Sequence, residues 1–464
     1  MKSHQNNCKR YEHILYVVEE GSRSKHKRED NETLAEIGRE IRFDPSILDT
    51  YAFDGWKAVH RDLLLVCAAV EFADHHFARS VKQWSRPFHV IVPVLELEAW
   101  QQLEVHGFLC DALRHLTGDD WRFSFVRAEE HAVIEHRQRP LLFDKKKQFA
   151  IAYSDGLDSR CVAGLLDKDG IALRVRLSSC KDKKNKRDYP FDVIPFQVKL
   201  TGSRESGLRS RGFKFAAITA IAADICSLSD IVVPESGQGA LGPVILPLHN
   251  IYPDYRNYPT FFRKMERFIT TLLGCAVTYK QPRLWYTKGQ TISAFLAQLP
   301  EKNPKSVLDT RSCWQQRMNV RGNGEVRQCG LCAACLLRRM SMHAAGVEEP
   351  TSVYTFSDLT APHYSKAILE FDGKWEKDQM VQYGSVGVRH LQQLADLAEE
   401  PDTKLRRYVF EIARATDTPE LQTMDNLKEL LLRHATEWRG FINAQGENSF
   451  LKDWMKGSRY GRSE

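Results

Sequence analysis

The chain has 464 residues, 66 basic and 60 acidic side chains, a formal net charge of +6, and 42% hydrophobic and 27% charged residues. These proportions exclude a collagen-like or wholly disordered chain, and so mild a charge does not by itself indicate nucleic-acid binding. No apolar run reaches the ~20 residues of a membrane-spanning helix, and residues 1–10 lack the apolar core of a secretory signal; the expectation is a soluble cytoplasmic protein of about three domains.

In chain order, residues 20–33 read as a polar loop. A helix is expected over 62–78 and a strand rich in β-branched residues over 89–95. A second helix is expected over 98–116, with Trp100, Leu103, Val105, Leu109, Leu113 and Leu116 on or near one face. A strand over 121–126 completes a small N-terminal α/β region. Strands at 149–153, 171–177, 193–198 and 231–234 then alternate with helices at 159–166 and 213–227, a pattern of βαβ units on a parallel sheet. Such sheets bind ligands beyond the C-terminal ends of their strands. From about residue 356 the pattern turns helical, with helices at 388–399, 404–415 and 421–443. The expected domains are therefore an N-terminal α/β domain (1–147), a central α/β domain (148–355) and a C-terminal helical region (356–464).

The strand at 149–153 runs into Ser154-Asp155-Gly156-Leu157-Asp158-Ser159 and then a helix. Small and hydroxyl residues permit a tight turn whose N–H groups, with the helix N-terminus, face an anion. Ser154 and Ser159 add hydroxyl donors, and Gly156 supplies a permissive backbone. Asp158 makes sense beside phosphates if Mg²⁺ lies between them or if it orients the loop. The same residues also suit a serine or aspartate cap on an ordinary helix. No Walker sequence is present.

Eleven cysteines, without a secretory signal, argue against a disulfide framework. Seven are scattered and read as small buried hydrophobes. The other four, Cys313, Cys329, Cys332 and Cys335, have the spacing of a closed, structural zinc site, with Gly330 at the turn. An iron–sulfur cluster and free buried thiols are the other readings. Arg338 and Arg339 follow on an expected helix, placed to lend positive charge to the cluster or to a nucleotide.

Ser154–Ser159 resembles the SGGxDS loop of PP-loop ATP pyrophosphatases, with Asp155 at the usual second glycine. Followed by Cys313 and the CGLCAAC run from Cys329 to Cys335, it resembles the 7-cyano-7-deazaguanine synthase (QueC) family over residues 148–346. Tyr286-Thr287-Lys288-Gly289 is similar to that family's KTK segment, and Tyr252-Pro253-Asp254 to its YPD segment. The long N-terminal extension, together with PDYRN (253–257) and RQCGLCAACLLRR (327–339), resembles the QueC-like components of Qat anti-phage systems and their CBASS-associated relatives.

That resemblance implies an ATP-dependent, AMP-forming carbon–nitrogen ligase. It implies ATP, Mg²⁺ and structural zinc as cofactors and a 7-carboxy-7-deazaguanine-type substrate. The amine acceptor would be the N-terminus of a partner protein from the same operon; neither membrane nor nucleic acid is expected. Ser154, Gly156, Leu157, Asp158 and Ser159 would hold ATP, with Arg209 and Arg211 as further phosphate candidates. Lys288 would meet charge developing on the pyrophosphate or acyl oxygen. Asp254, with Tyr252, would recognise the guanine-like ring; Glu235, just past the strand at 231–234, is an alternative, and His249 is a candidate base. Where the synthases carry a DYGQRH-type segment, this chain has a basic loop over 178–187, which argues against ordinary nitrile synthesis. Three other functions fit the same motifs: the ordinary synthase, a nucleotide-binding scaffold, and an RNA-modifying thiolase using Cys161 or Cys180.

Overall fold

The computed structural model describes residues 13–25, 32–43, 56–80, 84–129, 147–154, 156–178, 194–198, 205, 207–247, 252–299, 304–315, 321–322, 325–368 and 377–456. Asp155, His249, Cys180 and the basic loop beyond residue 178 lie outside them. In chain order the elements begin β1 (His13–Val18), β2 (Glu32–Glu36), β3 (Ile41–Phe43), α1 (Ala58–His76), β4 (Pro87–Val94), α2 (Leu97–Trp100), α3 (Leu103–Thr117) and β5 (Asp120–Arg127). There follow β6 (Phe149–Ala152), α4 (Leu157–Leu166), β7 (Ala172–Val175), β8 (Leu177–Ser178), β9 (Ile194–Val198), α5 (Arg211–Ile225), β10 (Asp230–Val232), α6 (Gly237–Ile245), α7 (Pro259–Leu273) and β11 (Thr278–Lys280). The remainder is α8 (Lys288–Leu296), α9 (Lys305–Leu308), the hairpin β12 (Arg321–Gly322) and β13 (Glu325–Val326), α10 (Ala333–Ala344), α11 (Lys377–Asp396), α12 (Arg406–Thr416), α13 (Glu420–Ala444) and α14 (Phe450–Met455). Among the described residues no helix is long and apolar enough to cross a membrane.

Two compact units interleave along the chain. The first comprises residues 1–152, 170–233 and 254–280; the second comprises 153–169, 234–253 and 281–464. The first unit holds two four-stranded parallel sheets, ordered β2-β1-β4-β5 and β11-β10-β6-β7. Strands buried on both faces read as near-continuous apolar runs, as in the VIVPV segment of β4, whose last five residues are all buried. One apolar core joins the sheets through α1, α3, α5 and α7, from Leu15 and Phe88 to Ile231 and Tyr279.

Two expectations need correction here. Residues 98–116 are not one helix: the chain breaks at Gln102, whose extended ψ of 130° starts a new helix. Leu103 therefore opens α3 and is 89% exposed, while Trp100, Val105, Leu109, Leu113 and Leu116 are buried. The strand at 193–198 does not join the central parallel sheet. It pairs antiparallel with β3 and parallel with β8 in a separate three-stranded sheet.

The second unit is mainly helical. A small core of Leu157, Cys161, Ile292, Phe295, Val307 and Met342 binds α4, α8, α9 and α10 to one another. Gly164 makes this possible, since a Cβ there would stand 2.1 Å from Phe295 Cε2. A Gly164→Val substitution must push α8 off α4, and we expect a loss of about 1–3 kcal/mol in stability, read by denaturant unfolding. A larger core joins Cys329, Cys332 and Cys335 to α10, α11, α13 and α14, through Leu336, Met380, Val388, Trp438, Phe441 and Phe450.

Candidate functional site

Beyond β6, Ser154 and Gly156 lead directly into α4, whose N-cap is Gly156 and whose first turn has no side-chain cap. The serine/aspartate-cap alternative is thus not the arrangement found. The two serine hydroxyls brace the turn instead. Ser159 Oγ accepts from Ser154 N at 3.1 Å, lies 2.9 Å from Ser154 O and is 3.0 Å from Ser154 Oγ. Ser154 Oγ accepts from Gly156 N at 3.1 Å. An uncapped N-terminus of a ten-residue helix retains donors for an anion. Leu157 is 1% exposed and belongs to the small core. A Ser159→Ala change removes the brace, and we expect about 1–3 kcal/mol less stability, measured by thermal unfolding.

Three chain segments converge beside this turn. Lys288 opens α8, and its Nζ is paired with Asp158 Oδ2 from α4 and stands 3.7 Å from Glu235 Oε1. Ser236 Oγ reaches Asp158 Oδ1 at 3.3 Å and Glu235 Oε1 at 3.5 Å. The lysine is 7% exposed. Burial pulls its pKa down, but the Asp158 and Glu235 charges outweigh that and hold it above the ordinary value. It therefore stays an ammonium ion. Two carboxylates facing one ammonium leave a surplus negative charge. Such a set of hard oxygen donors fits Mg²⁺; Asp158 and Glu235 are the residues that would hold it, and the ion would screen phosphate charge there.

Behind Lys288 lies a layer that the sequence does not reveal. Thr287 caps α8 by accepting from Gln290 N at 3.0 Å, and Gln290 Oε1 accepts from Thr287 N at 3.0 Å, forming a capping box. Gln238 Oε1 accepts from Lys288 N at 2.8 Å, and its Nε2 is 2.9 Å from His434 Nδ1. His434 Nε2 lies 2.9 Å from Leu391 O. Because a carbonyl only accepts and an N–H only donates, this chain has one direction: His434 donates from Nε2 and accepts at Nδ1. Burial lowers the His434 pKa to about 4, consistent with a neutral ring. Glu437 Oε1 accepts from Thr287 Oγ1, and Glu437 Oε2 lies 3.4 Å from Gln238 Nε2.

Burial raises the Glu437 pKa to about 7, only partly offset by the Thr287 and Gln238 hydrogen bonds. A folded pKa above the unfolded value of about 4.3 means that the folded chain binds the extra proton. The resulting stabilisation is complete below that lower value and disappears as pH rises through about 7. We expect the thermal midpoint to fall across this window in the wild-type chain and to fall less in Glu437→Gln.

The four cysteine sulfurs lie within 4.8 Å of one another, with Cys313 half-buried and the other three buried. Backbone N–H groups point at the sulfurs: Cys329 N reaches Cys313 Sγ at 3.2 Å, and Cys332 N reaches Cys329 Sγ at 3.3 Å. Gly330 turns at φ +88°, where a Cβ would stand 2.4 Å from Phe356 O. Burial pushes the Cys335 thiol well above its ordinary value, while hydrogen bonds from the neighbouring thiols hold Cys313 well below its own. Four convergent sulfurs fit Zn²⁺ in a structural role.

Other expected site residues have partners of their own. Arg209, Arg211 and Asp254 belong to the first unit, and the loop belongs to the second. Arg209 Nη1 donates to Thr117 O at 2.9 Å, and the Arg211 guanidinium lies over Phe215 at 5.3 Å. Both Asp254 oxygens are forked by Arg256, and Oδ1 also accepts from Arg256 N at 3.2 Å. Tyr252 is half-buried in the second unit. Arg338 donates to Glu349 at 2.8 Å and to Thr310 O at 3.1 Å, while Arg339 donates to Phe356 O at 2.8 Å. These two arginines tie segments together, and Arg339 also feels the charge of Cys335 in the cluster. Cys161 is 1% exposed, and burial pushes its thiol up to about 12, which disfavours a thiolase nucleophile.

No known protein-family model matches the chain, and no solved structure matches it. A 7-cyano-7-deazaguanine synthase from Anaeromyxobacter sp. (strain Fw109-5) is 26% identical over 229 residues, covering 45% of this chain and 91% of that protein. This distant homology supports a QueC-like, ATP-using enzyme, and the four-sulfur set could hold zinc.

Proposed function

We propose that the chain is a QueC-like ligase of an anti-phage defence system. It activates the carboxyl group of a 7-carboxy-7-deazaguanine-type substrate with ATP and transfers the acyl group to an amine, the N-terminus of a partner protein from the same operon. The observation that carries this reading is the convergence of Lys288, Asp158 and Glu235 beside the Ser154–Ser159 turn. A carboxylate is a poor acyl donor because oxide leaves badly. Attack by its oxygen on the α-phosphorus of ATP expels pyrophosphate and leaves a mixed anhydride; attack by an amine then expels AMP and releases one proton.

In this scheme Ser154, Ser159 and the backbone N–H groups of Gly156 and Leu157 hold the phosphates. Asp158 and Glu235 hold Mg²⁺, which supplies charge neutralisation. Lys288, released from the two carboxylates, meets the charge that builds on pyrophosphate. For the deazaguanine ring we favour Tyr252, which shares a unit with the loop, because Glu235 is given to the ion and Asp254 is already forked by Arg256. Zinc holds the fold.

Intact-mass measurement of the partner, co-expressed with the wild-type chain or with Lys288→Met, tests the transfer. We expect an ATP-dependent gain equal to one deazaguanine acyl group, absent with the variant. A partner that binds the chain yet stays unmodified contradicts it. One observation favours a second reading, a nucleotide-binding scaffold: the Lys288 charge is already neutralised by two carboxylates. ATP binding with no pyrophosphate release from any carboxylated deazaguanine would support the scaffold.

A further inference from the structure

We infer that Glu437 and His434 on α13 are positioning residues for Lys288, so that the C-terminal helical region completes the candidate site. The inference rests on the function proposed above but extends it to residues beyond the segment, 148–346, that resembles the synthases.

α13 takes hold of the start of α8 at three places. Arg433 Nη2 donates to Trp285 O at 2.9 Å. Glu437 Oε1 accepts from Thr287 Oγ1, the residue that caps α8. His434 holds Gln238, which in turn holds Lys288 N. Residues 434 and 437 are three apart on one helix and so share a face. The contact between α13 and α8 is close: a Cβ on Gly289 would stand 2.8 Å from Glu437 Oε1. Neither Glu437 nor His434 is within hydrogen-bond reach of Lys288 Nζ; they act through Thr287 and Gln238.

The consequence is geometric. Lys288 is the first residue of α8, so a shift of that terminus moves Nζ relative to Asp158 and Glu235. Misplacement of a reacting group by about 1 Å costs about 100-fold in rate.

The test uses the full zinc-loaded chain and two readouts. For Glu437→Ala we expect kcat for pyrophosphate release to fall about 10- to 100-fold, with KM for ATP and for the carboxylated deazaguanine nearly unchanged. Glu437→Gln, which keeps an acceptor for Thr287, should recover most of that loss. Independently of turnover, competitive acylation read by mass spectrometry should find Lys288 several-fold more reactive in Glu437→Ala, with Lys264 as the unchanged internal reference. Unaltered Lys288 reactivity in Glu437→Ala overturns the inference, whatever the turnover. If the wild-type chain releases no pyrophosphate, the proposed function falls, while the acylation readout still decides the positioning role.

Discussion

Replacing Lys288 by methionine should lower pyrophosphate release by at least about 100- to 1,000-fold, the usual cost of removing a donor aimed at developing transition-state charge. Methionine keeps much of the side-chain length and fits an apolar site, so the loss isolates the charge. The substitution also leaves Asp158 and Glu235 facing each other without the ammonium that now lies between them. Removing one partner of a buried pair costs about 3–5 kcal/mol, and the lower end applies here because both carboxylates retain some exposure. Steady-state kinetics and a thermal melt separate the two effects. The structure predicts that added Mg²⁺ restores part of the lost stability and none of the lost rate, because the ion can replace the ammonium as counter-charge but not as the donor to pyrophosphate.

Removing the metal should unfold the second unit. Structural zinc bound by thiolates contributes about 10–16 kcal/mol to folding in small peptides, comparable to or larger than the whole stability of a typical domain, about 5–15 kcal/mol. The sulfurs are not peripheral: Cys329, Cys332 and Cys335 belong to the same apolar core as Trp438 and Phe441 of α13. Cys332→Ser, or a strong chelator, should therefore release α13 along with α10 and so remove the support behind Lys288. The first unit has its own core and should keep its secondary structure. Elemental analysis should find one zinc ion per chain, and circular dichroism after chelation should show partial loss of helix rather than complete unfolding. A chelated chain that melts like the untreated one would show that the four sulfurs hold no stabilising metal.

What the sequence made legible was local. The cysteine cluster is written in short spacings, and the turn geometry at Gly330 follows from them. The Ser154–Ser159 turn is equally local, and the hydroxyls of Ser154 and Ser159 do face each other. Lys288 was visible only through resemblance, since nothing near it in the chain marks one lysine among many. Its buried pairing with Asp158 joins residues 130 apart.

Glu437 and His434 had no local signal. They sit on an ordinary amphipathic helix, and their meaning comes from contacts 150 and 196 residues away. Helix α6 is hidden by its composition. It contains Gly237, Gly239, Gly242 and Pro243, all poor helix formers, and at Gly237 packing demands the glycine: a Cβ there would stand 2.1 Å from Leu284 O. Tertiary packing here overrides propensity. Asp254 is the reverse case, a recognisable motif residue whose carboxylate caps a short turn and pairs with Arg256.

The most direct measurement is the product pair formed from ATP by the purified, zinc-loaded chain with 7-carboxy-7-deazaguanine. AMP and pyrophosphate are expected in equal amounts, dependent on the carboxylated substrate and lowered at least about 100-fold by Lys288→Met. Formation of ADP and phosphate, or equal activity in the Lys288 variant, would contradict the proposed function.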